Sequence, residues 1–240
     1  PPAPGDDTAA FCVYAENIIN EGLRTATNLH CVLALLRAWA AGRPEVLDRH
    51  VLPLIKTLTK LTKEHLAAAV PVSANDQAVR LLLMVLELLK TRIVHLGDQR
   101  RWFLSAVVQL VEKSPSIEVC RFLLATMRAW ILDAREPFPT IKEKAGILIK
   151  MLGFEQRGNE PLLREFLALI LDIYKTPAFA RSELTARLES AFLLGCRNRD
   201  PELRQQFIDI FDSALTRIPY ARLQYLLGQQ SWENAADHYW

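Results

Sequence analysis

Five histidines, His30, His50, His65, His95 and His238, are the side chains of this sequence best suited to acid–base or metal chemistry near neutral pH. Their spacing contains no H-E-x-x-H pair, the arrangement that sets two imidazoles and a general base on one helix face around zinc. Asp48-Arg49-His50 and Glu64-His65 place acids beside imidazoles. On a helix, however, consecutive side chains point about 100° apart, so adjacency in sequence does not make a catalytic pair. These histidines read as surface or packing residues. The four cysteines, Cys12, Cys31, Cys120 and Cys196, lie far apart with no C-x-x-C pair, which argues against zinc and for a reducing compartment.

Phosphoryl transfer would need a glycine-rich phosphate loop and catalytic and metal-binding aspartates, yet the chain has no G-x-G-x-x-G, H-R-D, D-F-G or G-x-x-x-x-G-K-[S/T]. Two cationic groups stand out. Lys56, Lys60 and Lys63, four and three apart, form a stripe that can meet an acidic partner; the plainer reading is the solvated face of an amphipathic helix. Arg197, Arg199 and Arg204 flank Asp200-Pro201, where arginines can bond the last carbonyls of a helix; a phosphate or acidic-peptide site is the less specific alternative. No catalytic, cofactor-binding or metal-ligating residue is assigned, no cofactor is expected, and partner-binding residues are left unassigned.

The elements that carry these residues follow from composition and period. With 240 residues, 50% hydrophobic and 23% charged, the chain has ample material for a folded core. Its net charge of +2 falls short of the basic footprint of a domain that binds phosphate backbones, so no direct nucleic-acid binding is expected. The longest apolar run, residues 81–89, contains Glu87 and is far shorter than the roughly 20 residues that cross a bilayer. It reads as a buried helix, and no membrane contact is expected. Pro1-Pro-Ala-Pro-Gly-Asp-Asp has neither the basic start nor the apolar run of a signal peptide. Both ends read as boundaries within a longer chain.

Helical periodicity dominates. Ile117, Cys120, Leu124, Met127 and Ile131 fall on one helix face, as do Leu203, Phe207, Ile210, Phe211 and Leu215. Residues 162–174 are apolar nearly all round and should lie between layers. Thr140-Ile-Lys-Glu143 has capping-box spacing, Asp200-Pro201-Glu202 sets a cap, a first-turn proline and an acid in order, and Ser114-Pro115 and Ser182 read as further starts. Gly42, Gly97 and Gly158 fall where helices should stop in the left-handed conformation. Helices are expected near residues 7–22, 28–41, 45–67, 74–96, 98–113, 116–133, 140–152, 160–175, 182–196, 201–215, 219–229 and 232–240. Their short connections make neighbours antiparallel.

Internal similarity organises these helices. Leu33-Ala-Leu-Leu-Arg37-Ala-Trp39 resembles Leu123-Leu-Ala-Thr-Met-Arg128-Ala-Trp130 at an offset of about 91 residues, two units of the roughly 40–47 residues of HEAT and armadillo repeats. Ser114-Pro115, Glu160-Pro161 and Asp200-Pro201 open helices at intervals inside the same window. Pro53, within a helical stretch, should kink it, as is common in such units. Trp39, Trp102, Trp130, Trp232 and Trp240 are expected to anchor repeat interfaces. The fold class is therefore all-α: a HEAT/armadillo-like α-solenoid of stacked antiparallel helix pairs, a single segment over 1–240 with a leading helix in 1–27.

Lys90-Thr-Arg92, Val111-Glu-Lys-Ser-Pro115, Pro139-Thr-Ile-Lys-Glu-Lys144, Ser182-Glu-Leu-Thr-Ala-Arg-Leu-Glu189, Gln229-Gln-Ser-Trp-Glu233 and His238-Tyr-Trp240 together resemble the helical solenoid of the TRRAP/Tra family, pseudokinase relatives of the phosphatidylinositol-3-kinase-related kinases. The resemblance runs from about Leu33 to the end. It implies a non-enzymatic scaffold segment of a transcription coactivator in the nucleus, whose parent chain carries an inactive kinase-like domain. The implied partners are the other subunits of the SAGA and NuA-type histone acetyltransferase complexes, transcription activators and the rest of its own chain. Gln230-Ser231 departs from the Gln-Asn expected before the Trp-Glu pair. Two alternatives stay open at this point: the solenoid of an active kinase of the same superfamily, and an importin-type transport receptor.

Overall fold

A computed structural model describes residues 6–67, 76–132, 139–180, 182–214 and 219–228; among them every regular element is a helix. The chain divides into two compact units, 1–169 and 170–240. The first holds α1 (Asp6–Thr25), α2 (Leu29–Gly42), α3 (Val51–Ala67), α4 (Gln77–Lys90), α5 (Arg100–Lys113), α6 (Ile117–Leu132), α7 (Ile141–Met151) and the start of α8 (Glu160–Lys175). Within it α1 packs on α2, α3 on α4 and α5 on α6. Then α1 meets α3, α3 meets α5 and α5 meets α7, while α2 meets α4 and α4 meets α6. Odd helices thus form one row and even helices another, the arrangement of stacked helix pairs.

Of the α6 stripe read from the sequence, Cys120, Leu124, Met127 and Ile131 face into this stack, while Ile117 in the first turn is 42% exposed. Val119, Cys120, Leu123, Leu124, Met127 and Ile131 of α6 are buried, as are Val79, Leu82, Val85, Leu86, Leu88 and Leu89 of α4. Gly22 lets α1 pack tightly on α2: a Cβ built there would lie 2.3 Å from Val32 Cγ2, so a larger residue would push the helices apart.

The starts are capped much as expected. Thr140 and Glu143 form a complete capping box at α7, with the Thr140 backbone N–H donating to Glu143 Oε2 at 2.7 Å. Asn159 Oδ1 takes the Leu162 N–H at 2.9 Å and opens α8, with Pro161 in its first turn. At α6 the cap is displaced. Ser116 rather than Ser114 accepts from the Val119 N–H, at 3.4 Å, because the Ser114 hydroxyl is taken up by a longer-range contact. Gly97 and Gly158 have the expected positive φ, 52° and 66°. Gly42 does not; α2 ends with Arg43 at φ −143°, its N–H on the Trp39 carbonyl.

The stretch around Pro53 changes helix type. Residues Pro44–His50 are a 3-10 helix and α3 begins at Val51, so Pro53 sits in the first turn, where its missing N–H has no helical acceptor to lose. The helix expected over 74–96 ends at Lys90, where the Thr91 hydroxyl donates to the Leu88 carbonyl at 2.7 Å; two short 3-10 turns, Ile93–His95 and Gly97–Gln99, then lead into α5.

The second unit holds the end of α8, α9 (Glu183–Arg187), α10 (Glu189–Cys196), α11 (Pro201–Ala214) and α12 (Pro219–Gly228). Ser182 caps α9 and Asp200 caps α11. The single helix expected over 182–196 is interrupted at Leu188. The Tyr174 hydroxyl donates to the Thr185 carbonyl at 2.6 Å, and the Leu188 N–H divides itself between Leu184 and Thr185. Tyr174, Phe192 and Phe207 form a ring cluster with centroids 4.5 and 5.4 Å apart. Gly195 lets α10 and α11 close upon it; a Cβ there would lie 2.5 Å from the Phe207 ring. The helix read at 232–240 lies outside the described residues.

Candidate interaction surface and the junctions beneath it

Several polar contacts between successive pairs recur at an interval of 43–46 residues. Asp48 takes a paired contact from Arg92, 2.8 Å to Nε and 2.6 Å to the terminal nitrogen, across 44 residues. Arg121 donates to Glu165 across 44 residues at 3.0 Å, and Arg157 donates to the Ser114 and Val111 carbonyls across 43 and 46 residues at 2.6 and 2.5 Å. A spacing that returns from pair to pair is the repeat length expressed as side-chain chemistry.

The junction at the end of α5 is the most developed. Arg157, from the 3-10 turn after α7, caps the open carbonyls of α5, contacts Cys120 Sγ at 3.2 Å and lies over the Phe154 ring. His65 reaches the same place from α3. Its Nε2 shares a 2.7 Å hydrogen bond with Ser114 Oγ, which also takes the Ser116 N–H. His65 is 3% exposed, and burial lowers its pKa from the ordinary 6.5, opposed by the Asp76 carboxylate, so the ring is held neutral. Burial raises the Cys120 thiol, against the pull of Arg157, which makes it unreactive.

The adjacent acid–imidazole pairs come apart as helical geometry requires. Asp48 goes to Arg92, Arg49 to Glu16 at 3.2 Å, and His50 is 1% exposed with neither ring nitrogen hydrogen-bonded among the described residues. Glu64 pairs with Lys60 on the surface while His65 turns inward. Arg204 donates to the Asn198 carbonyl at 2.8 Å, in the turn two residues past the end of α10 and so not to a helix carbonyl as read from the sequence. Trp39 and Trp130 are half-buried, the latter edge-on to Phe103 at 6.2 Å. Trp102 is 54% exposed and anchors no interface among the described residues, because its neighbour Phe103 takes the inward position. Trp232 and Trp240 lie outside the described residues.

A concavity of about 700 Å³ opens between α1, α2 and α3, with Leu81 of α4 at its border. Its floor is apolar, with Leu23, Leu29 and Leu61, and Leu52 stands 50% exposed at its edge. Arg24, Lys56 and Lys60 rim it, opposed by Glu64. The lysine stripe is thus solvated, as its plainer reading has it, and two of its members border an apolar cleft. Lys63 is exposed beyond it. Among the described residues no three histidine, cysteine or acidic side chains cluster as a metal site would require, and no helix is long and apolar enough to cross a membrane. Sequence reasoning missed Arg157. Its one trace was its place before Gly158, one repeat on from Ser114.

Comparison with known proteins gives this geometry a context. Residues 2–240 match the family model described as the Tra1 HEAT repeat ring region. The chain is 40% identical over 235 residues to the SAGA complex/NuA4 acetyltransferase complex subunit Tra1 of Schizosaccharomyces pombe, covering 93% of the chain and 6% of that protein. It is 35% identical to the SAGA complex/NuA4 acetyltransferase complex subunit TRA1 of Saccharomyces cerevisiae, over 96% of the chain and 6% of that protein. It is 34% identical to the human transformation/transcription domain-associated protein, over 95% of the chain and 6% of that protein. The chain therefore spans a small fraction of the length of these relatives.

Proposed function

Because the chain belongs to the Tra1 HEAT repeat ring family, we propose that it is a non-catalytic scaffold segment of a nuclear transcription coactivator subunit within histone acetyltransferase complexes of the SAGA and NuA4 kind. The observation that carries this reading is the match over residues 2–240, supported by a stack of helix pairs whose regularly spaced polar contacts are committed to structure. Residues 1–240 act as one solenoid segment of a far longer chain, and the kinase-like domain of that chain is inactive. Such a stack offers long grooves between helices, which suit amphipathic peptides. Transcription activators dock on this helical surface, and the cleft between α1, α2 and α3 joins an apolar floor to a cationic rim in the manner an acidic, apolar activation segment needs.

Affinity purification of the tagged full-length chain from nuclear extract tests the assembly. Acetyltransferase subunits should co-purify in constant ratio, and their absence would overturn the assignment. Immobilised acidic activation domains test the receptor role. The full-length chain should bind, and Lys56→Glu with Lys60→Glu should weaken that binding; failure of any part of the full chain to bind removes activator reception and leaves the scaffold. Intact catalytic-loop and metal-binding aspartates elsewhere in the reading frame would contradict the inactive kinase domain.

A further inference from the structure

The chain's net charge of +2, from which no nucleic-acid binding is expected, is a sum over unlike parts. α3 carries Lys56, Lys60 and Lys63 against Glu64, α5 carries Arg100, Arg101 and Lys113 against Glu112, and α7 carries Lys142, Lys144 and Lys150 against Glu143. Each of these helices has a surplus of two positive charges, six for the three together. α2, α4 and α6 have a surplus of one each, and α1 sets four acids against Arg24. Positive charge is thus gathered in the odd row of the first unit, on α3, α5 and α7.

The three glutamates are already engaged. Glu64 pairs with Lys60 at 3.9 Å, Glu112 with Lys150 at 2.7 Å, and Glu143 closes its capping box beside Arg100. Lys56, Lys63, Arg101, Lys113 and Lys142 are exposed and have no acid within ion-pair distance among the described residues. The exposed Glu45 and Asp98 lie in the 3-10 turns before α3 and α5 rather than on the helices. Helical geometry puts the five cations on the outer side of the row. At about 100° per residue Leu52, Lys56, Thr59 and Lys63 fall within about 60° of one another and are exposed, while Leu54, Leu58 and Leu61 on the opposite side are buried. On α5 Arg101, Ser105 and Lys113 are likewise opposed to buried Phe103, Val107 and Leu110. α4 and α6 pack on the inner side of these helices, and the Lys150–Glu112 pair joins α7 to α5 across the outer one.

We propose that the outer face of α3, α5 and α7 binds the phosphate backbone of duplex DNA through Lys56, Lys63, Arg101, Lys113 and Lys142. Lys56 and Lys63 stand two helical turns, about 10 Å, apart along α3, and neighbouring helix axes lie about 8–10 Å apart, so the cations form a two-dimensional array about 20 Å across. The two strands of a duplex, bordering a major groove about 12 Å wide, can both meet an array of that size. An acidic peptide instead lies along one groove between helices. The cleft between α1, α2 and α3, with its leucine floor, has that form; here the unpaired cations spread over three helices. Four of the five are lysines, flexible point charges that suit phosphate contact without base reading. Trp102, 54% exposed with Arg101 5.5 Å from its ring, stands among them. This inference is independent of the coactivator role.

The test uses the purified full-length chain, alone. Its lysines are labelled with an amine-reactive ester, with and without a short DNA duplex of arbitrary sequence, and read residue by residue with mass spectrometry. Lys63, Lys113 and Lys142 should lose most of their labelling at low salt and regain it as salt rises, with Lys90 of α4 unchanged. Lys63→Ala, Arg101→Ala, Lys113→Ala and Lys142→Ala together, which spare the cleft between α1, α2 and α3, should make the slope of log affinity against log salt about 3–4 shallower. Unchanged labelling of the three lysines at saturating duplex overturns the proposal, whatever DNA the rest of the chain binds, and so does an unchanged salt slope. Stronger protection by polyglutamate or by single-stranded RNA at equal charge also overturns it, since the face would then serve an acidic protein or another nucleic acid.

Discussion

His65 and His50 are both buried on the first unit's inner side, fifteen residues apart, and they sit in opposite kinds of junction. His65 enters a network in which Ser114, Ser116 and Arg157 satisfy one another across three repeats. His50 lies where the 3-10 turn passes into α3, with Asp48 and Arg49 drawn away to Arg92 and Glu16 and nothing left for its ring. Burial lowers the pKa of both, with Glu16 opposing the shift at His50. In one junction the imidazole is held by a directed bond; in the other it only packs, and the directed bonds are made by its neighbours. In a solenoid each repeat contacts only its neighbours, so a polar junction fixes the register between pairs where an apolar one merely adds area.

The sharpest way to break this contrast is to remove Arg157. Arg157→Ala leaves the Val111 and Ser114 carbonyls without their donor, at about 2–4 kcal/mol for the pair. Hydrogen exchange in the full chain should show α5 and α6 amides losing protection, with those of α1 and α2 little changed. His65→Leu should cost about 1–2 kcal/mol, since it removes the shortest of the Ser114 hydroxyl's buried contacts and leaves it only the Ser116 backbone. His50→Leu, which strands nothing, should be close to neutral or stabilising. Equal losses for the two leucine variants would abolish the distinction.

Thr140→Ala serves as a local reference. It removes the capping box and should cost about 1 kcal/mol, seen as faster exchange in the first turn of α7 only. Acidification is the mildest perturbation. Each histidine titrates lower in the folded chain than at the ordinary 6.5, so the unfolded chain takes up more protons as pH falls. Stability should therefore be full above about pH 6.5 and decline below it, continuing until the folded-state pKa values are passed. His50→Leu should flatten that decline in thermal unfolding scans taken from pH 7.5 to 5.5.

The helices were legible because each buries one stripe, and a 3.6-residue period survives in sequence whatever the stripe packs against. The capping box at Thr140 was legible for the same local reason. Ser114 was not. Ser114-Pro115-Ser116 offers two candidate caps, and the choice between them is made by His65, 49 residues away. The interruption at Leu188 likewise depends on a hydroxyl from Tyr174, which no local pattern announces. Of the candidate surface, the sequence showed the lysines but not the leucine floor beside them, because a cleft is a property of three helices at once. A repeat length of about 40–46 residues was visible in the proline recurrences, and twice that in the tryptophans, before hydrogen bonds appeared at intervals of 43–46.

The proposal of a non-catalytic scaffold within an acetyltransferase assembly is tested most directly by purifying that assembly through the full-length chain carrying Arg157→Ala. The amount of acetyltransferase subunit retained should fall, while nucleosome acetylation per retained subunit stays constant. An undiminished complement of subunits whose activity per subunit drops would contradict the account.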